Sequence, residues 1–68
     1  MKIIYYCTAK FETSNKEYHF YTDSPEFKEG DIVFVSTQRG LAVAEFVEYI
    51  RYSDKATQPV IGKKEDLE

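Results

Sequence analysis

The chain has 68 residues, with nine basic and 12 acidic side chains, a formal net charge of −3, six Tyr, five Phe and one Cys. A length of this order builds one domain and buries only about 60% of the surface exposed on unfolding, so its many rings must supply dense packing. The lone Cys excludes an internal disulfide, and the acidic balance argues against a broad duplex-binding surface, whose affinity comes mainly from cations on phosphates.

Nothing in the sequence approaches the roughly 20 apolar residues of a membrane helix. The start lacks the charged, apolar and small-residue order of a secretory signal, and one unpaired Cys suits a reducing compartment. The expectation is a cytoplasmic protein with no membrane segment.

Residues 2–11 (KIIYYCTAKF) are rich in β-branched and aromatic types, which suit a pleated, half-buried surface. Alternation puts Ile3, Tyr5, Cys7, Ala9 and Phe11 on one face and Ile4, Tyr6, Thr8 and Lys10 on the other, with the odd set inward. Glu12-Thr13-Ser14-Asn15 carries turn chemistry. Lys16–Thr22 (KEYHFYT) returns as a second strand, with Tyr18 and Phe20 pointing one way and Glu17, His19 and Tyr21 the other. Residues 2–22 are therefore a hairpin.

Asp23–Gly30 is a loop, in which Pro25 bars a ladder hydrogen bond and Gly30 supplies positive φ at the entry to the next strand. Phe27 is expected to cap an open end of the core. Ile32–Thr37 is apolar on both faces, as in a strand at the centre of a sheet or inside a closed barrel. Gln38-Arg39-Gly40 is a short turn, for which a residue with positive φ is commonly required. Leu41–Tyr52 is a long fourth strand whose parity conflict (Leu41, Val43 and Val47 against Phe46 and Ile50) predicts a β-bulge near Ala44-Glu45-Phe46.

Thr57–Ile61 is a short fifth strand, confined by Pro59 to an edge or a bulge, and Gly62–Asp66 read as polar tail. Leu67-Glu68 has the character of a cloning-linker remnant and carries no weight. The fold class expected is all-β: a small SH3-like or OB-like antiparallel barrel of four to five strands, one domain over 1–62 with a polar tail over 63–68. An open meander that dimerises through an exposed edge strand is the competing arrangement.

Catalytic and metal chemistry find little here. One His and one Cys fall short of the three or four ligands of a zinc site, no cofactor motif exists, and a buried strand Cys is ordinarily a small apolar core residue. The expectation is a non-enzyme. Two surfaces stand out for protein contact. The first is the acidic loop bearing Asp23, Glu26, Glu29 and Asp31 around Phe27. The second is an aromatic wall of Tyr6, His19 and Tyr21, which serves as a partner anchor or is covered by the tail and joins the core. A nucleic-acid reading stays open beside these: Arg39 as a phosphate fork on its turn, Tyr6 and Tyr21 as stacking platforms, and Lys55 as a further cation.

Residues 18–47, YHFYTDSPEFKEGDIVFVSTQRGLAVAEFV, carry a resemblance. An aromatic strand, a Gly-Asp entry, a V-x-V-x-T-x-x-G strand and a small-residue strand follow one another. This order resembles the suppressor-of-polymerase type domain and, more loosely, the N-terminal barrel of the primosomal restart helicase. The length is similar to that of small uncharacterised proteins of phages infecting Gram-positive bacteria. The first likeness implies contacts within protein assemblies, and the second implies binding of a DNA end near Arg39. Together the readings point to a phage- or mobile-element-encoded binding module that contacts a bacterial host or phage protein. The alternative is an accessory barrel for single-stranded DNA or RNA.

Overall fold

The computed structural model describes residues 3–67. The expected strand start at Lys2, the first domain residue Met1 and the tail residue Glu68 lie outside the described residues. The class is all-β. Strands β1 (Tyr5–Phe11), β2 (Glu17–Thr22), β3 (Ile32–Thr37), β4 (Gly40–Ile50) and β5 (Val60–Lys63) form one antiparallel sheet, followed by a single helical turn, α1 (Lys64–Leu67). The strand order is β2-β1-β4-β3-β5.

The first hairpin follows its alternation. Cys7 and Ala9 are fully buried with Phe20 of β2, while Phe11 packs against the same cluster. The turn between β1 and β2 is tied by the Ser14 N–H, which donates to the Phe11 carbonyl at 3.1 Å. The Lys16 N–H then donates to Ser14 Oγ at 3.1 Å, the local side-chain bond that favours Ser in turns. The opposite face of β1 is less open than alternation alone implies. Thr8 is 5% exposed and its Oγ1 has no partner, Tyr6 stacks edge-on against Tyr52 at 5.2 Å, and His19, which pairs with Thr8, is bonded to Ser53. The chain leaving β4 meets this wall at Tyr6 and His19, while Tyr21 lies beside Pro59 and Val60-Ile61.

The central strand is β4, not β3. It pairs with β1 on one side and β3 on the other. In β3, Val33 and Val35 are fully buried, but Ile32 is 41% exposed, so this strand is sealed on one face only and the expectation of two covered faces is corrected. The physical reason is that Ile32 and Phe34 share a face with Glu45 and Val43 of β4, where no further layer is laid down.

The bulge sits later than the parity conflict alone suggests. Thr8 pairs with Glu48 but Ala9 pairs with Phe46, so Val47 is the extra residue. Before it the inward set is Ala42, Ala44 and Phe46; after it the inward ring is Tyr49. One inserted residue exchanges the faces of the strand. Leu41, of opposite parity to Ala42, Ala44 and Phe46, is 66% exposed. Small residues at positions 9, 42 and 44 leave room for the rings of Phe20, Phe27 and Phe46 to fill the interior.

Two segments close over the ends of the sheet. In the Asp23–Gly30 loop, Phe27 tilts against Phe46 with ring centroids 5.7 Å apart. The Gly30 N–H donates to the Phe46 carbonyl at 2.9 Å, and the Phe46 N–H returns to the Asp31 carbonyl at 2.8 Å. Gly30 (φ 92°) and Gly40 (φ 109°) are the glycines that hold positive φ, as both turns require.

The second segment runs from Arg51 to Pro59. The expected strand over 57–61 is shifted: β5 begins at Val60 and continues through Gly62 and Lys63, residues read as tail. Pro59 instead makes a parallel bridge to Tyr21. The Tyr21 N–H donates to the Gln58 carbonyl at 3.1 Å, and the Ser36 N–H donates to the Pro59 carbonyl at 3.0 Å. A proline suits this position because neither bond needs the N–H it lacks: Gln58 supplies the carbonyl on the Tyr21 side, and the carbonyl of Pro59 faces Ser36.

Candidate functional site

The most developed concavity is a groove of about 420 Å³ between the first half of β2, the β3–β4 turn and the 55–58 segment. Its floor is aromatic. Phe11 lies 5.4 Å from Tyr18 and 6.2 Å from Phe20, the latter pair edge to face. These rings meet because Phe11 ends β1 while Tyr18 and Phe20 share one face of β2, on the side the sheet turns inward.

One wall is the β3–β4 turn. Thr37 Oγ1 donates to the Gly40 carbonyl at 2.7 Å and accepts the Arg39 N–H at 3.1 Å, which fixes the turn that carries Gln38. The facing wall contains Lys55, Thr57 and Gln58. Its bend is set by the Lys55 N–H, which donates to Ser53 Oγ at 3.0 Å, and by the Thr57 N–H, which donates to the Lys55 carbonyl at 3.0 Å.

Charge is placed at the groove's two sides. Lys16 Nζ lies 5.4 Å above the Tyr18 ring, and Lys55 lies on the opposite wall. Neither takes part in an ion pair among the described residues, whereas Lys63 pairs with Asp31 at 3.6 Å. Glu17 is the one carboxylate lining the groove.

The groove also exposes backbone. Tyr21 sends its N–H away from β1, to Gln58. Strand geometry repeats every two residues, so Glu17 and His19 present their N–H and C=O groups along the same outer edge. No backbone partner meets those groups among the described residues. The 55–58 segment meets the edge of β2 at Tyr21 and bends away before His19.

The residues singled out in the sequence are distributed as follows. Tyr6, His19 and Tyr21 do share one wall, since Tyr6 pairs with Tyr21 and Thr8 with His19, but all three are half-buried, Tyr6 against Tyr52, His19 against Ser53 and Tyr21 beside Pro59. In the acidic loop, Asp23, Glu26 and Glu29 are exposed, whereas Asp31 accepts the Lys28 N–H at 2.9 Å and pairs with Lys63. Phe27 is 7% exposed and belongs to the core, so its ring is not offered on that loop's surface. The four residues of the nucleic-acid reading are not brought together. Lys55 lines the groove, Tyr21 lines a separate depression with Ile4 and Ile61, Tyr6 stacks on Tyr52, and Arg39 is exposed at the turn.

Several groove residues were not legible as a site: Phe11, Lys16, Tyr18, Gln38, Thr57 and Gln58. The available signal was the shared face of Phe11, Tyr18 and Phe20. Alternation alone does not say that this end of the hairpin stays uncovered.

One contact joins a His to a Ser. His19 Nδ1 lies 2.6 Å from Ser53 Oγ, but Ser53 is 8% exposed and its oxygen is already engaged by the Lys55 N–H. No carboxylate bonds the ring among the described residues, so the contact tethers the covering segment to β2. Cys7 is fully buried, and burial pushes its thiol up to about 11. Among the described residues no group of three or more His, Cys, Asp and Glu side chains gathers to hold a metal, and no helix is long and apolar enough to cross a membrane.

Comparison with known proteins returned no matching family model, no matching curated protein and no matching solved structure. The chain's own geometry is therefore the basis for a functional reading.

Proposed function

We propose that this chain is a small, non-enzymatic binding module that docks a partner protein in the Phe11–Tyr18–Phe20 groove. Its architecture is read as a small SH3-like barrel. The supporting observation is that one short stretch touches both flanks of the sheet: Gln58-Pro59 accepts the Tyr21 N–H from β2 and the Ser36 N–H from β3. Closing the sheet there leaves its two sides to separate below Tyr21, and the groove is the gap.

The observation that carries the binding reading is the groove's composition. Three aromatic rings form an apolar floor, two lysines outside any ion pair among the described residues flank it, and hydroxyl and amide side chains line the rim. Pockets for other molecules have this character: an apolar bed with a few placed polar groups. The tyrosine wall is a weaker docking surface because the chain itself occupies part of it. The exposed carboxylates Asp23, Glu26 and Glu29 would then repel acidic partners from the loop and orient them toward the groove.

The resemblance to phage-encoded chains makes a bacterial lysate the source in which to look for the partner. Immobilised protein is expected to retain a host protein after nuclease treatment, and Tyr18→Ala is expected to lose it while Arg39→Ala keeps it. Retention that vanishes with nuclease, or binding of single-stranded oligonucleotide that falls steeply with salt, would replace this reading with the nucleic-acid one.

A further inference from the structure

We infer that the partner binds by strand addition: an extended, acidic segment of another protein pairs with the open edge of β2 at Glu17–His19. This deepens the groove reading and rests on it. An unpaired strand edge is a row of donors and acceptors ready to template another strand, and here that row opens into an apolar cleft rather than onto flat surface. The same edge is already satisfied at Tyr21 by Gln58. The chain therefore demonstrates the pairing on one half of β2 and leaves the other half vacant.

An added strand alternates its side chains. With its backbone on Glu17 and His19, every second residue faces the rings of Phe11, Tyr18 and Phe20, which calls for apolar side chains there. The intervening residues face the rim, where Lys16 and Lys55 stand outside any ion pair among the described residues. In a chain of net charge −3, two lysines against the single lining carboxylate Glu17 make this a locally cationic cleft. Charge complementarity thus selects an acidic segment, and the free main-chain groups select an extended one.

The mode fits the two-sided geometry as well. The opposite wall is the end of β3 and its turn, so the incoming strand would lie in line with Gln58-Pro59, between the same two strands. No rearrangement of the core is needed, because the outward groups of Glu17 and His19 have no backbone partner to give up among the described residues.

The test uses the full chain with a pool of capped nine-residue peptides in which Val, Ile, Leu or Phe alternates with Glu or Asp. A second pool is N-methylated at alternate backbone positions, in both phases. Backbone-resolved NMR titration is expected to move the amides of Glu17 and His19, and the methylated phase that blocks the N–H groups facing β2 should weaken binding about tenfold or more, while the phase methylated on the far edge binds better than it. Lys16→Glu with Lys55→Glu should weaken it comparably, and Glu17→Pro, which removes one outward N–H while leaving the bonds to β1, should do so without unfolding the domain.

Equal binding of plain and methylated pools, with shifts confined to the aromatic floor, would overturn strand addition and leave the groove reading standing. Shifts elsewhere, or no binding by any peptide alongside oligonucleotide binding at the groove, would overturn both. A concentration-dependent dimer whose interface perturbs Glu17–His19 would assign the edge to a second copy and overturn the hetero-partner inference.

Discussion

The Tyr49 hydroxyl accepts the N–H of Phe27 at 3.0 Å and donates its own proton to the carbonyl of Ser24 at 2.8 Å. One phenol on β4 thus holds two backbone groups of a loop that has no ladder of its own. Tyr49→Phe keeps the ring packed on Phe46, whose centroid lies 4.9 Å away, and deletes both bonds. The expected loss is about 1–3 kcal/mol, the range for leaving buried polar groups unsatisfied. Urea unfolding should show a lower midpoint with an unchanged slope; an unchanged midpoint would mean the loop is held by the Phe27 ring alone.

Burial separates two apolar positions on the same strand. Phe46 is almost wholly buried and meets Phe27 and Tyr49, so Phe46→Ala should cost about 3–5 kcal/mol. That is enough to unfold most of a domain this small. Leu41→Ala, at an exposed site before the bulge, should stay within about 0.5 kcal/mol. Similar losses at both positions would contradict the inward set of Ala42, Ala44 and Phe46, whose alternation leaves Leu41 facing out.

These positions also show what the sequence could reveal. Period-two alternation in 2–22 was sufficient for the first hairpin, because Cys7, Ala9 and Phe20 have one side to hide on. Gly40 marked its turn because positive φ excludes most residues. The parity conflict in β4 announced a bulge, but its position depends on pairing with β1 as well as β3, which only the assembled sheet fixes. Likewise Ile32-Val33-Phe34-Val35 looked covered on both faces, since an apolar run carries no mark of which neighbours are absent. The groove was least legible: its walls come from 11–20, 36–38 and 55–58, and no local pattern states where the last of these bends.

Gly40→Ala isolates a backbone term. A methyl group there would meet nothing within 4 Å, so any cost comes from φ 109° rather than from crowding. A loss of roughly 1–2 kcal/mol is expected from the penalty on left-handed backbone. Differential scanning calorimetry should show a lower Tm with no change in core contacts by NMR.

Alkaline pH should weaken the fold. Burial raises the Cys7 thiol from 9.0 to about 11, and burial raises the Tyr49 phenol too, outweighing the Phe27 hydrogen bond that lowers it, with neighbouring charges adding to the rise. In both cases the folded state holds the proton to higher pH than the unfolded chain. Stability is therefore flat below pH 9.0 and falls as the thiol's window to about 11 is crossed. Iodoacetamide should label Cys7 slowly in the native protein and rapidly in urea. Rapid native labelling near pH 8 would show an accessible thiolate and contradict its place in the core.

The central claim is that β2 is closed at Tyr21 and open at Glu17–His19, and residue-resolved amide hydrogen exchange reads this directly. The Tyr21 amide, bonded to Gln58, should be protected, while the Glu17 and His19 amides exchange near the rate of an unstructured chain. Protection of His19 equal to that of Tyr21 would place a partner strand on that edge within the free protein and contradict the account.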